Sequence, residues 1–137
     1  MTTPLQAWAP LFQARAASHA QHRHPGNDLG VLAREALAGG LLTGKYRPGT
    51  RFTDAAHTRS RRAIDELDRR LEAAERIRET EVPDGIAMAA WALAWCLQHP
   101  AVTAVIPGGK SVDQIAANAK AADLNLIPDD HPQAAAT

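Results

Sequence analysis

Two short apolar runs, far apart in the chain and each followed by glycines, limit the folds open to it. The second, Ala101 to Ile106, is rich in β-branched residues and bounded by Pro100 and Pro107. It is short for a helix and lacks polar alternation, so it reads as a strand buried on both faces. The first, Leu29 to Ala33, has the same character, and Gly39 and Gly40 open the loop behind it. Helical patterns separate the two runs, and another follows the second. Strands and helices in that order predict an α/β fold with a parallel sheet.

The helical patterns differ in how they are to be covered. In Arg61 to Glu79 the residues Ile64, Leu67, Leu71, Ala74 and Ile77 recur at three- and four-residue steps, which makes one apolar stripe. Asp65–Arg69, Glu66–Arg70 and Glu72–Arg76 are acid-to-base pairs four apart and read as a solvated face. Glu81-Val-Pro-Asp-Gly85 breaks that helix. Ile86 to Gln98 is apolar nearly all round, so it needs cover on more than one face. Ser111 to Ala121 is the third helix, and Leu124 to Ile127 reads as a docked, extended tail. Residues 4 to 12 read as a strand anchored by Trp8, Leu11 and Phe12. Ala14 to Ala20 has helical propensity, His22 to Asp28 is rich in turn formers, and Tyr46 to Ser60 is expected to be irregular. His131 to Thr137 is expected to fray.

The turn after the second strand is where a ligand site would lie. Gly108 and Gly109 let a backbone approach a ligand closely. Ser111, with Gln114 three residues on, fits a capping box at a helix start. Free N–H groups and the positive end of the helix dipole favour an anion there, and Lys110 adds a formal charge. Two readings of this pattern stand side by side: an ordinary well-capped turn with a surface lysine, or a phosphate site.

Three stretches in order carry a family resemblance. Gly30-Val-Leu-Ala-Arg-Glu-Ala-Leu-Ala-Gly-Gly-Leu-Leu-Thr-Gly-Lys-Tyr46 closely resembles the seventh strand and following loop of aldo-keto reductases. Ala90-Trp-Ala-Leu-Ala-Trp-Cys-Leu-Gln-His-Pro100 with the strand after it is similar to that family's seventh helix and eighth strand. Gly109-Lys-Ser-x-x-Gln114-x-x-x-Asn118 resembles its clamp on the adenosine phosphate. The resemblance spans about residues 29 to 126, with a weakly matched segment before it (1–28) and a tail after it (127–137).

That resemblance implies a portion of a (β/α)8 TIM barrel and a cofactor, NADP(H). Lys110 and Ser111 would meet the phosphate, and Gln114 and Asn118 would hold the adenine. Ala117 stands where the family usually has a Glu that also touches the adenine. Arg34, Leu37 and Gly39 match residues on the nicotinamide and pyrophosphate side, and Lys45 lies within reach of a pyrophosphate. Arg34 also reads as a buried or edge arginine paired with Glu35 or another acid, and Lys45 as half of a surface ion pair.

The family reduces aldehydes and ketones with an Asp, a Tyr, a Lys and a His from earlier strands, which have no counterpart here. Tyr46 is the single tyrosine, and Lys45, Lys110 and Lys120 are the only lysines. The expectation is therefore a truncated oxidoreductase that grips cofactor but, alone, does not reduce carbonyls. The alternative is a non-catalytic module that keeps a partial barrel as a surface for self-association or a partner.

Length and composition agree. A complete (β/α)8 barrel takes about 250 residues, and this chain has 137. Fifteen basic and fifteen acidic residues cancel, which gives no argument for nucleic acid or an anionic membrane. The apolar stretch Ile86 to Leu97 is too short to span a bilayer. Met1 reads as a natural or designed start, and no signal peptide follows it. A single cysteine, Cys96, excludes an internal disulfide framework, suits the cytoplasm and, inside an apolar helix, reads as a buried inert thiol. His19, His22 and His24 cluster in a stretch without the rigid support a metal site needs, and His57 and His99 read as surface residues. An open partial barrel exposes strand edges, so a second copy or a chain supplying the missing strands is expected to cover them.

Overall fold

The computed structural model describes residues 31–52, 64–98 and 102–126. The strand expected at 4–12, the helix at 14–20, the loop at 22–28, His19, His22, His24, His57, His99 and the segments 1–28 and 127–137 lie outside the described residues, as does the irregular stretch beyond Phe52.

The described elements run β1 (Val31–Arg34), a tight 3₁₀ segment (Ala38–Thr43), α1 (Ile64–Thr80), α2 (Met88–Leu97), β2 (Val102–Ile106) and α3 (Val112–Lys120). A short 3₁₀ turn, Ala121–Asp123, closes α3. β1 and β2 pair in parallel, with Leu32 opposite Ala104, Ala33 opposite Val105 and Arg34 opposite Ile106. The register slips between Val31 and Leu32. The chain is thus α/β, as the alternation of patterns implied.

The core lies beside the sheet. α2 packs on β2, on α3, on the turn after α3 and on the Ala38–Thr43 segment, which α1 also touches. That ring of neighbours explains a helix without a polar face: Trp91, Ala92, Leu93, Ala94, Trp95 and Cys96 are all buried. Burying each large apolar side chain is worth about 1.5–3 kcal/mol. α1 contributes Leu67, Leu71, Ala74 and Ile77 to the same cluster. The tail docks as expected, with Leu126 buried and its carbonyl accepting from Gln98 Nε2 at 3.3 Å. No helix among the described residues is long and apolar enough to cross a membrane.

Three expectations need correction. The strands are not buried on both faces: Leu32 is 60% and Ile106 54% exposed. In a pleated strand alternate side chains face opposite ways. Ala33 is buried and Val105 packs against the core, whereas Leu32, Arg34, Ala104 and Ile106 share the face that none of the described helices covers. Ile64, placed in the apolar stripe, is 59% exposed because it opens α1, before the stripe reaches its neighbours. Of the three pairs assigned to a solvated face, Glu66–Arg70 forms at 2.9 Å, but Arg70 is buried. Its long stem lies along apolar surface while the guanidinium reaches the more exposed Glu66. Asp65–Arg69 and Glu72–Arg76 do not close into ion pairs.

Candidate functional site

Parallel strands deliver their following loops to the same end of a sheet, and open α/β sheets bind ligands at that end. Here the two loops are Glu35–Lys45 after β1 and Pro107–Ser111 after β2. Between them lies an open cleft of about 710 Å³.

The β2 side is built by one cap. Ser111 has extended backbone geometry, and its Oγ accepts from the Gln114 N–H at 3.2 Å. The Gln114 side chain reaches back, its Oε1 accepting from the Lys110 N–H at 2.8 Å. This is the expected capping box, with the return bond placed one residue early. One turn further along, Asn118 Nδ2 donates to the Gly108 carbonyl at 3.3 Å. The loop Gly108–Lys110 is thus stapled to its own helix by two side chains. Among the described residues the cap leaves the N–H groups of Val112 and Asp113 without a protein partner, and the Lys110 side chain is exposed beside them. Gly108 faces open space, since an added Cβ would meet nothing within 4 Å. Gly109 has a different reason to lack a side chain: its Cβ would stand 2.9 Å from Ile115 Cγ1.

The β1 side is a strained turn. Glu35 and Ala38 adopt positive φ of 57° and 51°, unusual for residues with a Cβ. Gly39 and Gly40 follow at 65° and 93°, so three successive residues are left-handed. The turn closes through Ala38 N–H to the Glu35 carbonyl at 2.7 Å and Gly40 N–H to the Leu37 carbonyl at 2.8 Å. Ala36, Ala38, Leu41 and Leu42 are buried beneath it, which holds the backbone in this unfavourable region. Thr43 Oγ1 donates to the Gly40 carbonyl at 2.7 Å and carries the chain round to Lys45. Lys45 Nζ lies 5.9 Å from the Tyr46 ring centroid.

Of the residues singled out from sequence, Arg34, Leu37, Gly39, Gly108, Gly109, Lys110 and Gln114 line this one cleft, with Lys45. Ser111 and Asn118 do not line it; they act through the loop they cap and brace. Arg34 and Glu35 form no ion pair with each other, so three cations and one carboxylate stand along the cleft wall. Sequence reasoning treated Glu35 only as a partner for Arg34; nothing local marks its left-handed backbone. Cys96 does not line the cleft; it is buried in α2, where burial pushes its thiol up to about 12.

The donor set suits a dianionic or polyphosphate ligand: exposed cations, a capped helix start and backbone open to approach at Gly39 and Gly108. Glu35, Lys45 and Tyr46 line the same cleft.

Comparison with known proteins agrees with the three motifs. The model of the aldo/keto reductase family matches residues 5–136. The chain is 34% identical over 107 residues to a probable voltage-gated potassium channel subunit beta of Oryza sativa subsp. japonica, covering 73% of this chain and 31% of that protein. A protein of the same description in Arabidopsis thaliana is 31% identical over 103 residues, covering 70% and 30%. The uncharacterized oxidoreductase YrpG of Bacillus subtilis (strain 168) is 35% identical over 98 residues, covering 72% and 28%. The chain therefore spans less than a third of the length of each of these curated relatives. It belongs to the aldo/keto reductase family.

Proposed function

We propose that residues 29–126 form the cofactor-gripping C-terminal portion of an aldo-keto reductase (β/α)8 barrel, and that the ligand of the cleft is NADP(H). The observation that carries this reading is the cleft itself. It brings Gly108, Gly109 and Lys110 opposite Arg34, Leu37 and Gly39 at the C-terminal ends of two parallel strands. In barrels, phosphates often bind at the loops after the last strands beside a helix N-terminus. Lys110 would take the adenosine phosphate on the loop that Ser111 caps, and Arg34 and Lys45 the pyrophosphate side. Gln114 and Asn118 already hold the loop, so they would serve the adenosine end by fixing its shape. A bound reduced nicotinamide supplies hydride. The Asp, Tyr, Lys and His that would handle the proton have no counterpart among these 137 residues, so the chain alone grips cofactor without reducing carbonyls. A cytoplasmic setting fits such a cofactor.

The test is calorimetric titration of NADPH and NADH against the protein and Lys110→Ala. A charge-assisted contact is worth about 1.5–3 kcal/mol, so the substitution should weaken NADPH about ten- to a hundredfold and leave NADH nearly unchanged. Equal affinity for the two nucleotides, or no effect of the substitution, defeats the phosphate assignment.

A second reading draws on the bare sheet face at Leu32 and Ile106. A second copy or a chain carrying further barrel strands would cover it, giving an assembly role without catalysis. The names of the rice and Arabidopsis relatives, both described as channel subunits, favour keeping this reading.

A further inference from the structure

One wall of the cleft is held from outside, by acids on a helix that does not line it. Lys45 and Tyr46 line the cleft, and the chain then turns away through Arg47–Phe52. This stretch has neither helix nor strand, yet it is self-contained. The Thr50 N–H donates to the Arg47 carbonyl at 3.0 Å, and Thr50 Oγ1 both donates to that carbonyl at 2.7 Å and accepts from the Arg47 N–H at 3.1 Å. Pro48 and Gly49, the latter at φ 87°, suit the two corner positions of that turn. The Tyr46 and Phe52 rings meet edge-on at 4.9 Å and pack on the core from one side. Residues 45–52 thus form one small unit, entered through Gly44 at φ 74°.

Two points on α1 fasten this unit. Arg51 forks onto Asp68, with Nη1 to Oδ1 at 2.7 Å and Nη2 to Oδ2 at 3.0 Å. Arg47 Nε lies 3.7 Å from Glu75 Oε2, and the other Glu75 oxygen takes Arg78 at 2.6 Å. Asp68 and Glu75 stand two helical turns apart, so both fall on one side of α1. Arg47 and Arg51 meet them from the two ends of the turn. A bidentate arginine–carboxylate pair fixes orientation as well as distance, so the pair sets the angle at which the unit lies on the helix.

We propose that Asp68 and Glu75 are positioning residues that hold the Lys45–Tyr46 wall of the nucleotide cleft through Arg51 and Arg47. The proposal rests on the cofactor reading above for its effect on binding, though not for the fastening itself. The fastening is partly solvent-exposed: the Arg51 side chain is 46% and Asp68 33% exposed. Such pairs are weak and salt-sensitive, so the wall is held firmly at low ionic strength and loosely at high.

The experiment pairs two readouts on Asp68→Asn, with Glu75→Gln as the second variant. Amide hydrogen exchange across 45–52 should quicken about two- to fivefold, the range of an exposed ion pair, while exchange in α2 stays as it was. NADPH affinity should fall by a similar factor at low salt, with the difference closing near 1 M salt. The swapped pair Arg51→Asp with Asp68→Arg should restore both. Unchanged exchange, acceleration throughout α2 or failure of the swap overturns the fastening. A loosened unit with unaltered NADPH affinity overturns its link to the cleft. No NADPH binding by the unsubstituted protein overturns the cofactor reading, and the link with it, while exchange still decides the fastening.

Discussion

α2 and the two strands have similar apolar compositions and end in different surroundings. Trp91 and Leu93 are fully buried because α2 has neighbours on several sides. Leu32 and Ile106 lie half bare or more because the described helices pack on one face of the sheet. The contrast teaches that apolarity reports the cover a segment is suited to, whereas burial reports the cover it has. For β1 and β2 the two differ, and the bare face is where further barrel strands would lie under the function proposed above.

The sharpest way to break this comparison is to strike its buried side. Trp91→Ala removes the largest fully buried side chain from the centre of the helical cluster. Truncations of this kind cost about 3–5 kcal/mol, a large part of the about 5–15 kcal/mol that holds an ordinary domain and enough to unfold one at the low end of that range. Urea unfolding followed by circular dichroism should show loss of the cooperative transition or a large drop in its midpoint; a shift of less than about 1 kcal/mol would mean the core is not centred on α2.

A second test asks whether the same helix stays dry. Burial alone raises the Cys96 thiol from 9.0 to about 12. The folded state therefore keeps its proton where the unfolded chain has lost it. Its contribution is complete below pH 9 and fades as pH climbs from 9 towards 12. Stability should fall by up to about 1.4 kcal/mol per pH unit in that window, and Cys96→Ala should remove that part of the slope. Identical alkaline slopes for both proteins would show that solvent reaches the thiol.

The smallest effect is expected on the bare side. Leu32→Thr with Ile106→Thr puts a β-branched residue at both strand positions and removes exposed apolar surface. Stability should move by less than about 0.5 kcal/mol, while any self-association through this face weakens in sedimentation or light scattering. A large stability loss would show that the face is covered after all.

What could be read from the sequence followed the range of the interaction. The Ser111–Gln114 box and the break at Glu81–Gly85 were legible because each is set within a few residues. The stripe Leu67, Leu71, Ala74, Ile77 was legible because helical period alone places it on one face. Asn118 on the Gly108 carbonyl, by contrast, depends on how the loop folds back on its helix. Arg51 on Asp68 joins two elements that no spacing rule connects. Arg70 looked like a surface charge because its partner Glu66 stands at the regular four-residue step, and the step does not reveal which of the two turns inward. Of the cleft residues, Gly108, Gly109, Lys110 and Gln114 were legible from the local turn and cap pattern, whereas Arg34, Leu37 and Gly39 came from motif likeness, which reaches across the chain where periodicity does not.

The parallel pairing of Val31–Arg34 with Val102–Ile106 also sets a clock for synthesis. β1 is made about seventy residues before its partner. At about 5–20 residues per second it waits on the order of several seconds for β2 to be made. Meanwhile α1 and α2 emerge, and their contacts with the Ala38–Thr43 segment are available before the sheet exists. During that interval the edge of β1 that will pair with β2 lacks that partner and stands open to neighbouring nascent chains. Yield from a crowded ribosome should therefore depend on translation speed between Phe52 and Ala101 more than on the final stability of the fold.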